Sequence, residues 1–123
     1  MDPRKKRITK ANCTQIDLAI KNLKALYAKT KQYPSTASFL ENCTDRLGVI
    51  KVFYAANVGY MEKATRFPYR SKDLKVTFSD AKQIYTFARK PSEKRDPADS
   101  LWEPVKTVFE LMIERAEWLE GKD

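Results

Sequence analysis

Arg66, Phe67, Tyr69, Arg70 and Lys72 stand within a few residues of one another. Their chemistry is that of a polyanion contact. Guanidinium and ammonium groups neutralise phosphates, and an exposed ring stacks on an unpaired base, worth roughly 1–3 kcal/mol. Tyr69 is the better stacking candidate, because Phe67 suits a loop anchor in the core. A second basic group follows at Arg89, Lys90, Lys94 and Arg95, next to Phe87. A third opens the chain, with Arg4, Lys5, Lys6, Arg7 and Lys10. Taken singly, each aromatic fits core packing better than recognition. The cations are harder to assign to packing, since Lys and Arg are rarely buried whole.

Other chemistries lack their residues. The chain has no histidine, so the usual serine or cysteine triads and Cys/His zinc sites are not expected. No GxxxxGK run cradles a phosphate. Glu110, Glu114, Glu117 and Glu120 are spaced as the wet stripe of a helix. Metal sites in bundles draw inward carboxylates from several helices, so neither a metal nor a cofactor is expected. Cys13 and Cys43 are two thiols thirty positions apart, which reads more naturally as two free, partly buried cysteines than as a disulfide scaffold. Asn-Cys-Thr occurs at residues 12–14 and again at 42–44. Both match a glycosylation sequon, but the charged start of the chain lacks the apolar run of a secretory signal. The expected location is inside a cell, in the cytoplasm, or in the nucleus for a eukaryotic or viral protein. No stretch reaches the roughly 20 apolar residues of a membrane span.

The charge is uneven. The net +8 is the balance of 24 Lys and Arg against 16 Asp and Glu. Residues 97–123 hold three cations and seven acids, so the sign reverses near the end and the preceding 96 residues carry about +12. A basic surface of this kind attracts and steers polyanions over a Debye length of about 10 Å. The acidic segment is expected to lie away from the binding surface, to neutralise part of it, or to meet another partner.

The elements that must position these groups are helices. At 123 residues and 42% hydrophobic, the chain fits one domain with a core of its own. Three glycines and six prolines are too few for the many tight turns of a small β-domain. Residues 1–12 read as a flexible basic arm and 13–123 as one helical domain. A first helix is expected over about 15–31, capped by Thr14, with Ile16, Ala19, Ile20, Leu23 and Tyr27 as its apolar stripe. Pro34 ends it. A second helix starts at Ser35 or Thr36 and runs to about 65, with a bend or break at Gly48. The β-branched run after Gly48 allows a strand over 49–55 instead. Residues 66–73 read as a loop and 74–78 as a short strand. A third helix over about 79–90 is capped by Ser79 or Asp80. A polar linker spans 91–100. A last helix starts at Asp96–Pro97 or at Ser100, the latter through a Ser100–Glu103 capping box, and Gly121 ends it.

The fold class is therefore all-α, a compact bundle of about four helices. The alternative is a winged-helix-like α+β domain whose weak strands pair in a short hairpin. The implied role is a non-catalytic nucleic-acid-binding domain, binding DNA or RNA as an accessory or regulatory module of a replication, transcription or mobile-element system. The competing role is a helical protein–protein interaction module, a regulator or assembly subunit that includes the homodimer, using the apolar faces of residues 49–61 and 101–119. The chain also reads as an excisable piece of a larger protein.

Overall fold

The computed structural model describes residues 7–30, 34–59, 67–89 and 96–121, the side chains of 34–36 excepted. Four helices make up almost all of this: α1 (Lys10–Thr30), α2 (Pro34–Ala56), α3 (Ser71–Ala88) and α4 (Pro97–Leu119). No strand forms among the described residues, though Arg7 lies in an isolated bridge. The winged-helix alternative is thereby ruled out, and the all-α bundle holds.

α1 packs on α2 and α4, α3 packs on the same two helices, and α1 and α3 also meet directly. Side-chain contacts give the directions. Lys51 near the end of α2 pairs with Asp17 near the start of α1. Phe67, just before α3, meets Tyr54 near the end of α2. Glu120, just after α4, bonds Ser71 at the start of α3. Consecutive helices thus run antiparallel, an up-and-down bundle.

α1 starts earlier than its sequence suggested. Thr9 and Asn12 cap it reciprocally: the Thr9 amide donates to Asn12 Oδ1 at 2.9 Å, and the Asn12 amide donates to Thr9 Oγ1 at 3.2 Å. Thr14 is inside the helix, where its hydroxyl donates to the Lys10 carbonyl. Ile8 is buried at the edge of the core, and its carbonyl accepts from the Gly59 amide at 2.9 Å. Residues 8–12, read as part of an arm, therefore belong to the domain, and residues 1–6 of that reading lie outside the described residues.

α2 passes through Gly48 without a break, and the strand reading of 49–55 is incorrect. Cys43, Leu47, Ile50 and Tyr54 fall on one face and are buried. That burial outweighs the local preference of the β-branched run for strand. The helix ends at Ala56, earlier than 65. The Asn57 side chain turns back onto the Phe53 carbonyl at 2.7 Å, and Gly59 has φ +89, where a side chain would be strained. Nothing lies within 4 Å of a Cβ built on Gly48. Gly48→Ala is therefore expected to stabilise the protein by about 0.5–1 kcal/mol, read as a higher urea midpoint with unchanged slope.

α3 takes in residues 71–73 from the stretch read as loop, all of the strand read over 74–78, and the third helix as far as Ala88, while residues 67–70 stay non-helical as read. Leu74, Thr77, Ala81, Ile84 and Ala88 make one buried stripe of helical period. Val76, which completed the apparent alternation, is 57% exposed. Asp80 is a mid-helix residue whose Oδ2 accepts from Asn42 Nδ2 at 3.2 Å. The true start lacks a local cap, because Arg70 at that position makes no capping bond. Glu120 does the work from α4.

α4 begins at Pro97, with Asp96 Oδ1 accepting from the Ala98 amide at 2.9 Å. The Ser100–Glu103 box does not form; Ser100 Oγ donates to the Pro97 carbonyl at 2.8 Å. Residues 96–100 are thus cap and first turn rather than linker, and 91–95 lie outside the described residues. Gly121, at φ +79, ends the helix as expected. The α3–α4 seam is a run of stacked rings: Tyr85 on Trp102 (5.0 Å), Trp102 on Phe78 (5.6 Å), Phe78 on Phe109 (5.7 Å).

Candidate nucleic-acid interface

The up-and-down order decides which cations become neighbours. α1 and α3 start at the same end of the bundle, beside the C-terminal part of α2. Arg7 and Lys10 lie exposed where α1 begins, and Arg70 and Lys72 lie exposed where α3 begins. The described members of two of the three basic groups therefore share one end. Arg89 lies at the other, roughly 27 Å away along α3. Arg4, Lys5, Lys6, Arg66, Lys90, Lys94 and Arg95 fall outside the described residues.

The two ends differ in how their cations are matched. Arg89 Nε donates to Asp99 Oδ1 at 2.9 Å, and the Tyr85 hydroxyl donates to the same oxygen at 2.5 Å. Arg89 thus clasps the end of α3 to the first turn of α4, and a phosphate reaching it must compete with that carboxylate. At the other end, the Ser71 amide and hydroxyl both donate to Glu120, each at 2.8 Å. Lys75 Nζ lies 3.7 Å from Glu117. Acids of α4 therefore also reach this end.

Of the two rings, Phe67 is the anchor its sequence context suggested, edge-on to Phe53 at 5.6 Å and to Tyr54 at 6.4 Å. Tyr69 is only partly exposed, and Arg46 lies over its ring at 4.9 Å. One face is thus covered by a cation, leaving less ring for a base. Arg46 and Lys75 join the neighbourhood without having been singled out. Arg46 stood alone beside Asp45, apart from the three basic groups, and Lys75 sat in a segment read as strand.

The clasp responds to pH at both extremes. The hydrogen bond from Tyr85, followed by that from Arg89, holds the Asp99 carboxyl below its ordinary 3.8. A depressed carboxylate stabilises the fold fully above its ordinary value and stops doing so as pH falls through the folded value. The Tyr85 phenol is raised above 10.0, first by partial burial and then by Asp99. Its contribution is present below that value and is lost as pH rises through the folded one. The melting difference between wild type and Asp99→Asn is expected to be flat from about pH 5 to pH 9 and to shrink below about pH 4.

Both cysteines are free, Cys13 half-buried and Cys43 buried. Burial above all, then Asp80, pushes the Cys43 thiol up to about 12, against a smaller opposing effect of Arg46. Its Sγ donates to the Thr77 carbonyl at 3.5 Å. A thiol reagent is expected to modify Cys13 first and to reach Cys43 only on unfolding, a difference that mass spectrometry of partly alkylated protein resolves.

Among the described residues, no group of three or more Cys, Asp or Glu is placed to hold a metal ion, and no helix is long and apolar enough to cross a membrane. No family model matches the chain, and no curated protein or solved structure matches it.

Proposed function

We propose that this chain is a non-catalytic nucleic-acid-binding module that grips the phosphate backbone with the end of the bundle where α1 and α3 begin. The observation that carries the reading is the antiparallel order of the helices. It brings the exposed Arg7 and Lys10 to the same end as the exposed Arg70 and Lys72. The excess of 24 cations over 16 acids supplies long-range attraction to any polyanion. The contact is backbone-led. Tyr69 has one covered face, so base stacking is secondary, and no groove-reading element is implied. An accessory or regulatory role in replication, transcription or mobile-element chemistry inside a cell, in the cytoplasm or a nucleus, fits such a module, and two unpaired thiols suit a reducing compartment.

The test is a salt titration of binding to duplex DNA, single-stranded DNA and RNA. Four phosphate contacts give a slope of log K against log salt of about −3 to −4. A flat slope on all three probes rejects the reading.

A protein-interaction role is favoured by one observation. Val49 and Val52 on the outer face of α2 are 45% and 69% exposed. The apolar face of α4 is by contrast largely absorbed, with Trp102, Val105, Val108, Phe109 and Met112 buried. If the α2 face serves self-association, light scattering gives a concentration-dependent mass that Val49→Lys with Val52→Lys abolishes. A monomer at all concentrations removes the homodimer.

A further inference from the structure

The last turn of α4 lies across the first turns of α3 through two separate contacts. Glu120 takes both the amide and the hydroxyl of Ser71, at 2.8 Å each. Glu117 faces Lys75 at 3.7 Å, with side chains 35% and 58% exposed. Arg70 and Lys72 flank Ser71 in sequence and are exposed. The remaining acid of that first turn is Asp73. The acidic end of a chain that is otherwise strongly basic is thus laid against one of the basic groups that the polyanion reading uses.

We infer that this strap is autoinhibitory: Glu117 and Glu120 compete with phosphates for the cations at the start of α3, so the chain restrains its own affinity for nucleic acid. The inference rests on the polyanion-binding reading and adds its regulation. The physical basis is local. A phosphate approaching Arg70, Lys72 or Lys75 meets two carboxylates held beside the same turns, and that repulsion is strongest at separations inside the Debye length. A carboxylate already takes the Ser71 donors, which are of the type that hold phosphate oxygens at helix starts. Charge elsewhere on α4 is differently placed. Glu103 and Glu110 are exposed on its outer face, and Glu110 lies 3.9 Å from Lys106 of its own helix.

Two double variants of equal charge separate the strap from net charge. Glu117→Gln with Glu120→Gln removes the strap's charge while leaving an amide oxygen for Ser71. Glu103→Gln with Glu110→Gln removes the same charge from the outer face. Binding of a DNA duplex of about 20 base pairs is followed against salt for both and for wild type. The strap variant is expected to bind about tenfold tighter at about 0.1 M salt, with a slope steeper by about one unit for each cation released to a phosphate. The outer-face variant is expected to gain less than about threefold, with the wild-type slope. Glu117→Gln alone, which keeps the Ser71–Glu120 bonds intact, gives part of the same gain and covers loss of folding in the double variant. Equal gains from the two double variants, or a gain without a change of slope, overturn the strap and leave the binding reading standing. Absence of salt-dependent binding by all the proteins overturns both. Binding by the strap variant with none by wild type supports both.

Discussion

Phe109→Ala should lower the unfolding free energy by about 3–5 kcal/mol. Phe109 has no exposed surface and stacks on Phe78 at 5.7 Å, with 14° between the planes. Phe78 in turn lies flat on Trp102 at 5.6 Å. Truncation opens a gap beneath a ring that is already fixed from its other side, so the neighbours cannot readily close it. The lost transfer energy and the residual cavity then add. A domain of this length is stable by roughly 6–18 kcal/mol, so the loss is a large part of the total. In urea the midpoint should fall with the slope unchanged. Val52→Ala, at a position 69% exposed, should move the midpoint by less than about 0.5 kcal/mol equivalent. Similar small effects at both positions would mean that the α3–α4 seam does not hold the bundle.

Replacing Lys10, Arg70 and Lys72 together with Gln should weaken nucleic-acid binding by roughly a hundredfold at about 0.1 M salt and make the salt slope shallower by about two to three units. All three side chains are exposed, so the melting temperature should stay close to that of wild type. The magnitude follows from three lost phosphate contacts, each releasing about one counterion. Arg89→Gln is the informative contrast. Its guanidinium is engaged with Asp99 at 2.9 Å, at the far end of α3, so its loss should reduce affinity by less than about threefold. A triple variant that binds as wild type does, or an Arg89 variant that loses more, would move the interface away from the shared start of α1 and α3.

Some of the signals that act within a few residues were legible in the sequence, and those that cross the bundle were not. Asp96–Pro97 and Gly121 bound α4 as local rules suggest, because both act on their own helix end. The stripe of Ile16, Ala19 and Leu23 marked α1, but its start was obscured. The box pairs Thr9 with an asparagine rather than the usual Glu or Gln, and Thr14 with Asp17 imitates a start further on. α3 was cut short because its first amide is satisfied by Glu120, 49 residues away, so no local signal marks Arg70 as its boundary. Leu74, Val76 and Phe78 alternate like a strand, yet Leu74 and Phe78 are also one helical turn apart, and only packing separates the two readings. In α2 the β-branched run after Gly48 suggested a break that tertiary burial of Leu47, Ile50 and Tyr54 overrides.

The same division applies to the candidate site. The presence of three basic groups was plain from residue types. Their relative placement depends on helix order, which puts Arg70 at the same end as Lys10 and far from Arg89. The counter-charges were also out of view, since Asp99 and Glu120 reach their partners only through the α3–α4 pairing. Tyr69 looked like a stacking ring because Arg46, which covers it, lies 23 positions earlier in the chain.

The central claim is tested most directly by following backbone amide resonances while a short DNA duplex is titrated in low salt. The account predicts that perturbations concentrate at residues 7–11 and 69–75, at the end shared by α1 and α3, and fade as salt is raised. Perturbations centred on Arg89 and Asp99, or spread evenly over all four helices, would contradict it.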